Sequence, residues 1–383
     1  MNFKEIYFDN SASTKPSDTV SLEVYKTLSS NFANPSSMHT KGYESAKIVA
    51  QSRKKIADVL KCESNEIYFT SGGTESNNIA ILGSVYAKKH KGNKIVTSSC
   101  EHFSVLKTCK ELESKGFEVV YLKPDKNGKI HEEQIFNAVD SNTIFVSIMA
   151  ANNETGVCFP VEKIKNIIKQ KSSDAIFHID AVQSFCKIET KISKLKCDLL
   201  TVSAHKMHGP QGIGALFCSN KIKIHPLIFG GDQERKIRPG TESVSLISGF
   251  AKAVEESKNF DKNFLKVSEL FKMCKNSFKN FQNVKINGSS DFFPYILNIS
   301  FLGIKSEILL NFLSLRNIFV SSASACSKNK KSHVLKAMGL PSDRISSSIR
   351  ISFSKNNTKE EVLYFLKVID NALEALKNKN TSI

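Results

Sequence analysis

Several short segments of this chain place chemically capable residues where an apolar run gives out. Phe177-His178-Ile179-Asp180-Ala181-Val182-Gln183 ends such a run with a carboxylate, a group that is costly to bury unless it is paired. Asp180 in that place suits a cationic ring nitrogen, or it caps the element that follows. A second apolar run ends in Ser203-Ala204-His205-Lys206-Met207-His208. A lysine delivered there can form a Schiff base with a carbonyl, or it is a surface lysine after a strand. His205 and His208 have metal-ligand chemistry, but the sequence supplies no evident third ligand. Ser71-Gly72-Gly73-Thr74-Glu75 reads as a strand end, two glycines and a helix capped by Thr74. Glycines admit an anion close to the backbone, and a helix start offers free N–H groups to a phosphate; an ordinary capped turn has the same appearance. No Gly-Lys-Ser/Thr follows, so it is not a nucleotide-type phosphate loop. Cys100-Glu101-His102 and Asn152-Asn153-Glu154-Thr155-Gly156 complete the set. Gly73, Thr74, His102, Asn153, Asp180, Gln183, Ser203, His205 and Lys206 together offer a phosphate cradle, a ring-nitrogen partner and an amine. A phosphorylated pyridine aldehyde, pyridoxal 5'-phosphate, needs those groups.

These residues can converge only if a sheet aligns the ends of their strands. The chain alternates β-rich runs at 66–70, 94–98, 118–122, 143–150, 176–182, 199–204 and 212–218 with amphipathic stretches starting near Thr74, Phe103, His131, Val161 and Ile192. The pattern predicts an α/β fold with a mostly parallel, doubly covered, seven-stranded sheet. In such sheets ligands bind beyond the carboxyl ends of the strands. The texture changes after about residue 260. Thr358 and Glu361 form a capping box, and Val362, Phe365, Leu366, Ile369 and Leu373 recur at helical spacing. Residues 16–259 are read as a large domain, and residues 1–15 with 260–383 as a smaller α+β domain.

Composition narrows the function classes. The 383 residues carry a net charge of +17, from 54 Lys+Arg against 37 Asp+Glu. The lysines are spread along the whole chain, as on solvated faces, and no RNA-binding signature accompanies them, so no nucleic-acid partner is expected. Nine cysteines occur without a Cys-x-x-Cys pair, which argues against a zinc ribbon or a structural metal and for free thiols in a reducing cytoplasm. Cys158, Cys186 and Cys218 sit in apolar runs and read as small packed hydrophobes. The N-terminus holds Lys4, Glu5 and Asp9 with no apolar h-region, and no run approaches a membrane span, so neither a signal peptide nor a membrane partner is expected.

The motifs in order resemble the class V aminotransferase family of fold-type-I pyridoxal-phosphate enzymes, and within it the cysteine desulfurases. The resemblance is carried by GGTESNN at 72–78, EH at 101–102, NNETG at 152–156, HIDAVQ at 178–183, SAHKMHGPQGIGAL at 203–216, RPGTESV at 238–244, SSASACS at 321–327, SHVLKAMG at 332–339 and SSIRIS at 347–352. It implies that Lys206 is the Schiff-base lysine, that His102 stacks on the cofactor ring and assists proton transfer, and that Asp180 pairs with the pyridinium nitrogen. Gln183 would meet the ring hydroxyl, with Asn153 near that oxygen or the substrate. Gly73, Thr74, Ser203 and His205 would hold the phosphate. Thr241 would reach the phosphate of a second subunit, implying a homodimer with composite sites, and Arg350 would clamp the substrate carboxylate.

Cys326 separates the desulfurases from ordinary aminotransferases. It lies among small residues and just before Lys328, Lys330 and Lys331, a setting that favours thiolate. The resemblance implies conversion of L-cysteine to L-alanine, with the sulfur carried as a Cys326 persulfide to an acceptor such as an iron–sulfur scaffold or a tRNA-thiolation protein. A selenocysteine lyase, or another β-eliminating relative, is the alternative. The stretch from Cys326 to Ser332 is shorter and richer in lysine than the resemblance implies, which would limit how far Cys326 swings. Phe353-Ser354-Lys355 departs from the usual continuation after the arginine. The sequence runs to Ile383 without the long C-terminal extension that the resemblance implies, so docking of a scaffold through such a tail is not expected.

Overall fold

The computed structural model describes residues 5–171, 174–279, 281, 283–288, 293–322 and 331–380. Its centre is a seven-stranded sheet with the order Ile67–Thr70, Gly214–Cys218, Leu199–Ser203, Ile176–Asp180, Thr143–Met149, Lys94–Ser98, Glu118–Leu122. Gly214–Cys218 runs antiparallel to both neighbours, and the remaining ladders are parallel. Every strand expected from the sequence is present. The trims fall at strand ends, where 176–182 stops at Asp180 and 199–204 stops at Ser203. The chain turns there to present side chains rather than to extend the ladder.

The strands are apolar on both faces because both are covered. Val96, Val146, Leu200 and Phe217 face a core shared with Val49, Ile56 and Phe250. Their neighbours Ile95, Phe145, Leu199 and Leu216 face the opposite way, onto Ile81, Val105 and Leu112. This is the two-residue alternation of a pleated strand, with apolar residues at both phases as a buried parallel sheet requires. His178 lies in the middle of the sheet. Its ring joins Ser147 and Thr201 on the two flanking strands, and burial drives its pKa down to about 3. It is therefore a neutral strut and not part of a site.

A second sheet is antiparallel, ordered Ser321–Ser322, Ser348–Ser352, Ile296–Phe301, Val284–Asn287. Its core gathers Ile6, Phe8, Val267, Phe271, Ile299, Leu309, Ile351, Phe365 and Ile369, so the N-terminal strand packs with the C-terminal third of the chain. Ile6–Tyr7 also pairs in parallel with Ile318–Phe319. The helix Lys359–Asn380 starts at the expected box: Thr358 N–H donates to Glu361 and Glu361 N–H donates to Thr358 Oγ1. Val334, Leu335, Met338 and Ile345 pack on the core of the large sheet instead. The segment 331–346 thus bridges toward the strand ends.

Candidate active site

At the carboxyl edge of the large sheet lies a cavity of about 340 Å³, within the usual range for a small-molecule site. Gly73, Thr74, His102, Asn153, Asp180, Gln183, Ser203, His205, Lys206 and Arg350 all line it. These are every site residue expected from the sequence except two. Thr241 is exposed and lies outside the cavity, and Cys326 lies outside the described residues.

Each strand end is built by local bonds. After Ile67–Thr70 the helix begins with Gly72 as its N-cap and no side-chain cap, so Thr74 does not cap it as the sequence suggested. The Gly72 φ of +153° is one that L side chains rarely adopt, and the turn is held by Thr70, whose Oγ1 bonds Ser76 and the backbone of Gly72. A Cβ on Gly73 would lie 2.8 Å from the Val182 Cγ2 methyl, so any larger residue there would force that side chain to shift. After Thr143–Met149, Asn152 Oδ1 accepts the N–H groups of Glu154 and Thr155, folding NNETG into a tight turn. The turn closes at Gly156, whose φ of +71° and 2.7 Å approach to Ile296 O exclude a side chain. That turn is where the two sheets meet.

Asp180 is buried and doubly occupied. Oδ1 accepts from Val182 N–H at 3.0 Å, and Oδ2 accepts from Asn77 Nδ2 at 2.8 Å. Asp180 thus caps the turn after its strand and also faces the cavity. Lys206 follows Leu199–Ser203 in a short 3-10 turn, Ala204–Lys206, and donates to the carbonyls of Ser11 at 2.7 Å and Ala12 at 2.6 Å. Gln183 Nε2 donates to the same Ser11 carbonyl. Thr14 and His205–His208 are laced together by further bonds. Ser11 and Ala12 thus complete the cavity wall, a role their sequence did not announce because carbonyl groups carry no residue signature.

Arg350 comes from the second sheet. Its two Nη atoms donate to Asp9 Oδ1 at 2.9 Å and Asn153 O at 3.0 Å, while Nε has no partner. The Asp9 carboxyl is pushed above its ordinary value by burial, against the pull of Arg350. Asp9 was missed from the sequence, although it sits in the Phe8-Asp9-Asn10 run.

Six cavity residues carry a buried polar atom without a hydrogen-bond partner: Ser11 Oγ, Asn77 Oδ1, Asn153 Oδ1, Gln183 Oε1, Ser203 Oγ and Arg350 Nε. Unpaired buried polar atoms are rare and costly, so their concentration here marks a place built for a polar ligand. The imidazoles in the cavity are held neutral. Burial pulls His205 down to about 4, with the Lys206 and Lys187 charges adding to the effect, and burial also lowers His102.

Behind the cavity two carboxyls are buried. Glu101 accepts from Ser98 Oγ at 2.6 Å and Met149 N–H at 3.0 Å, and burial pushes its pKa up to about 8. Glu154 accepts from Ser332 Oγ and lies 3.7 Å from His333 Nδ1, and burial raises it to about 7. Ser332 and His333 immediately follow the segment that holds Cys326.

The aminotransferase class-V family model matches residues 6–365. The chain belongs to the class-V aminotransferase family. It is 40% identical over 98% of its length to the cysteine desulfurase IscS of Methanosarcina thermophila, covering 93% of that protein. It is 39% identical over 97% of its length to the putative cysteine desulfurase IscS 1 of Bacillus subtilis, covering all of that chain. Among solved structures, a NifS-like protein matches with a TM-score of 0.92 at 37% identity, over 97% of this chain and 99% of that one. A NifS-like protein from Rickettsia africae matches with a TM-score of 0.86 at 30% identity, over 97% and 99%. Family members are pyridoxal-phosphate enzymes.

Proposed function

We propose that this chain is a pyridoxal-phosphate-dependent cysteine desulfurase that converts L-cysteine to L-alanine and carries the sulfur away on Cys326. The observation that carries the reading is the convergence, in one cavity, of an amine, a buried carboxylate and six unpartnered polar atoms. That donor set fits the cofactor. Ser203 Oγ, Thr74, His205 and the Gly73 backbone would hold its phosphate. Asp180 would keep the ring nitrogen protonated, Gln183 would meet the ring hydroxyl, His102 would lie against the ring, and Lys206 would hold the aldehyde carbon. When bound, the group would supply an electron sink for negative charge at the substrate Cα.

The remaining work falls to the chain's own residues. Lys206 Nζ would accept the Cα proton and return it. Arg350, its guanidinium fixed by Asp9 and Asn153, would orient the substrate carboxylate, and the unpartnered Nε is the donor left for it. The Cys326 thiolate would form an S–S bond to the substrate sulfur as the Cβ–S bond breaks, and a proton delivered to Cβ would complete alanine. The resulting persulfide would pass to a sulfur acceptor such as an iron–sulfur scaffold or a tRNA-thiolation protein.

A homodimer fits the surface. Tyr25, Leu28, Phe32, Met38, Tyr43 and Phe229 are exposed large apolar residues, more than isolated surface hydrophobics need. Thr241 is exposed and outside its own cavity, as a residue serving a second subunit's phosphate would be. Among the described residues no helix is long and apolar enough to cross a membrane. The test is to incubate purified protein with L-cysteine and a reductant, then measure alanine and sulfide together. Equal yields are expected; pyruvate and ammonia in their place would make the protein an eliminase.

A further inference from the structure

His102 is the N-cap of the helix Phe103–Ser114, and its ring, not a hydroxyl or carboxylate, accepts from the Ser104 backbone N–H at 3.2 Å. A backbone N–H can only donate, so Nδ1 must carry a lone pair. The Ser104 hydroxyl lies 2.8 Å from the same nitrogen. Its direction is set from the other side. Asn77 Nδ2 donates both to Asp180 Oδ2 and to Ser104 Oγ, each at 2.8 Å. The carboxylate fixes which end of the Asn77 amide faces it, and the amide nitrogen then fills the Ser104 oxygen as donor. The hydroxyl proton is left for His102 Nδ1. Asn77, Ser104 and Asp180 are all buried.

We infer that Asn77 and Ser104 are positioning residues that lock His102 as the neutral Nε2–H tautomer, with its proton on the nitrogen left to the cavity. A proton on Nδ1 would face two donors and the positive end of a helix. The groups around the ring are mixed. Asp180 favours the imidazolium, while Lys206 and burial oppose it, and the neighbouring His333 ring is itself lowered by burial. The adjacent Glu101 carboxyl is turned away, onto Ser98 and Met149. The chemical consequence is that His102 offers a hydrogen-bond donor to the cavity and has no free lone pair with which to take a proton. Proton removal from the substrate then rests on Lys206 alone. This consequence rests on the proposed function; the tautomer itself belongs to the chain without cofactor.

The experiment is long-range proton–nitrogen correlation on the full chain with labelled histidine, stripped of cofactor, with His102 assigned among the nine histidines by its loss in His102→Gln. The expected pattern is a protonated Nε2 and an unprotonated Nδ1, unchanged as the pH falls past the ordinary histidine value of about 6.5. An Nδ1–H tautomer, or an imidazolium at neutral pH, overturns the inference using the wild-type chain alone. Ser104→Ala should raise the His102 titration midpoint by about one pH unit, one hydrogen bond's worth, and Ser104→Thr should restore it. A Ser104→Ala chain that folds with an unshifted midpoint removes the hydroxyl from the assignment. Should the tautomer be found in a protein that makes no alanine from cysteine, the inference stands and the proposed function falls.

Discussion

The two sheets contribute to the cavity very unequally. The seven-stranded sheet supplies nine of its ten sequence-expected residues by letting successive parallel strands end at one edge, and the antiparallel sheet supplies Arg350 alone. The difference follows from geometry. Parallel strands stack like ends side by side, so adjacent strand ends converge without help from loops. Antiparallel strands alternate their ends, and a single side chain must reach across. The large sheet would therefore fix the cofactor, and the small one would read the substrate.

Lys206→Ala tests the first half most severely. Loss of the amine should cut alanine formation by roughly 10³-fold or more, as expected for removal of a group acting in covalent and proton-transfer roles. The visible absorption of protein supplied with pyridoxal phosphate should change as well. Cys326→Ala should also abolish sulfur transfer, yet leave that absorption intact. A Lys206→Ala protein with native turnover would end the proposed chemistry.

Arg350→Lys addresses the second half. A lysine has one point charge where the guanidinium holds Asp9 and the Asn153 carbonyl and would also hold the substrate carboxylate. One lost charged hydrogen bond of about 1.5–3 kcal/mol corresponds to a rise in KM of roughly ten- to a hundredfold, with cofactor absorption unchanged. If absorption is lost along with KM, Arg350 belongs to the cofactor half and the division of labour is wrong.

The same division governed what could be read from sequence. The large sheet was legible because each strand is an apolar run with a chemically distinctive residue at its end, as with Asp180 and Lys206. The parts that failed to show are those made by backbone or by distant partners. The Ser11 and Ala12 carbonyls under Lys206 have no side-chain signature, and the Asp9–Arg350 pair spans almost the whole chain. Thr74 looked like a cap because its type and place suit one, but the adjacent Gly72 and Thr70 already hold the turn. Asn77 stood in a quoted motif without a role, because its importance lies in what it bonds on two other segments.

The buried carboxyls add a pH test. Glu101 has a folded-state pKa of about 8 against an ordinary value of 4.5, mainly through burial. Between those values the folded chain holds a proton that the unfolded chain has released, so stability falls as pH rises from about 4.5 to 8. Glu101→Gln keeps an oxygen for Ser98 and Met149 and removes the titration. Thermal midpoints of the variant should decline less steeply across that window than those of the wild-type chain. Parallel slopes would mean that Glu101 is ionised in the folded protein and that the large sheet carries no such strain behind its cavity.

The smallest expected effect lies in the antiparallel half. Thr358 Oγ1 accepts the Glu361 N–H at 3.2 Å at the start of the last helix, and Thr358→Ala should cost about 1 kcal/mol, the usual loss for a helix cap. Val362, Phe365 and Ile369 bury that helix against the core around Phe8 and Ile351, so packing should hold it in place while the cap is lost. Chemical denaturation should show a lower midpoint, with cofactor absorption and KM unmoved. A change in KM would mean that the helix start is coupled to Arg350 through the Tyr7–Asn357 contact, and the antiparallel sheet would then be a working part of substrate recognition, not merely its support.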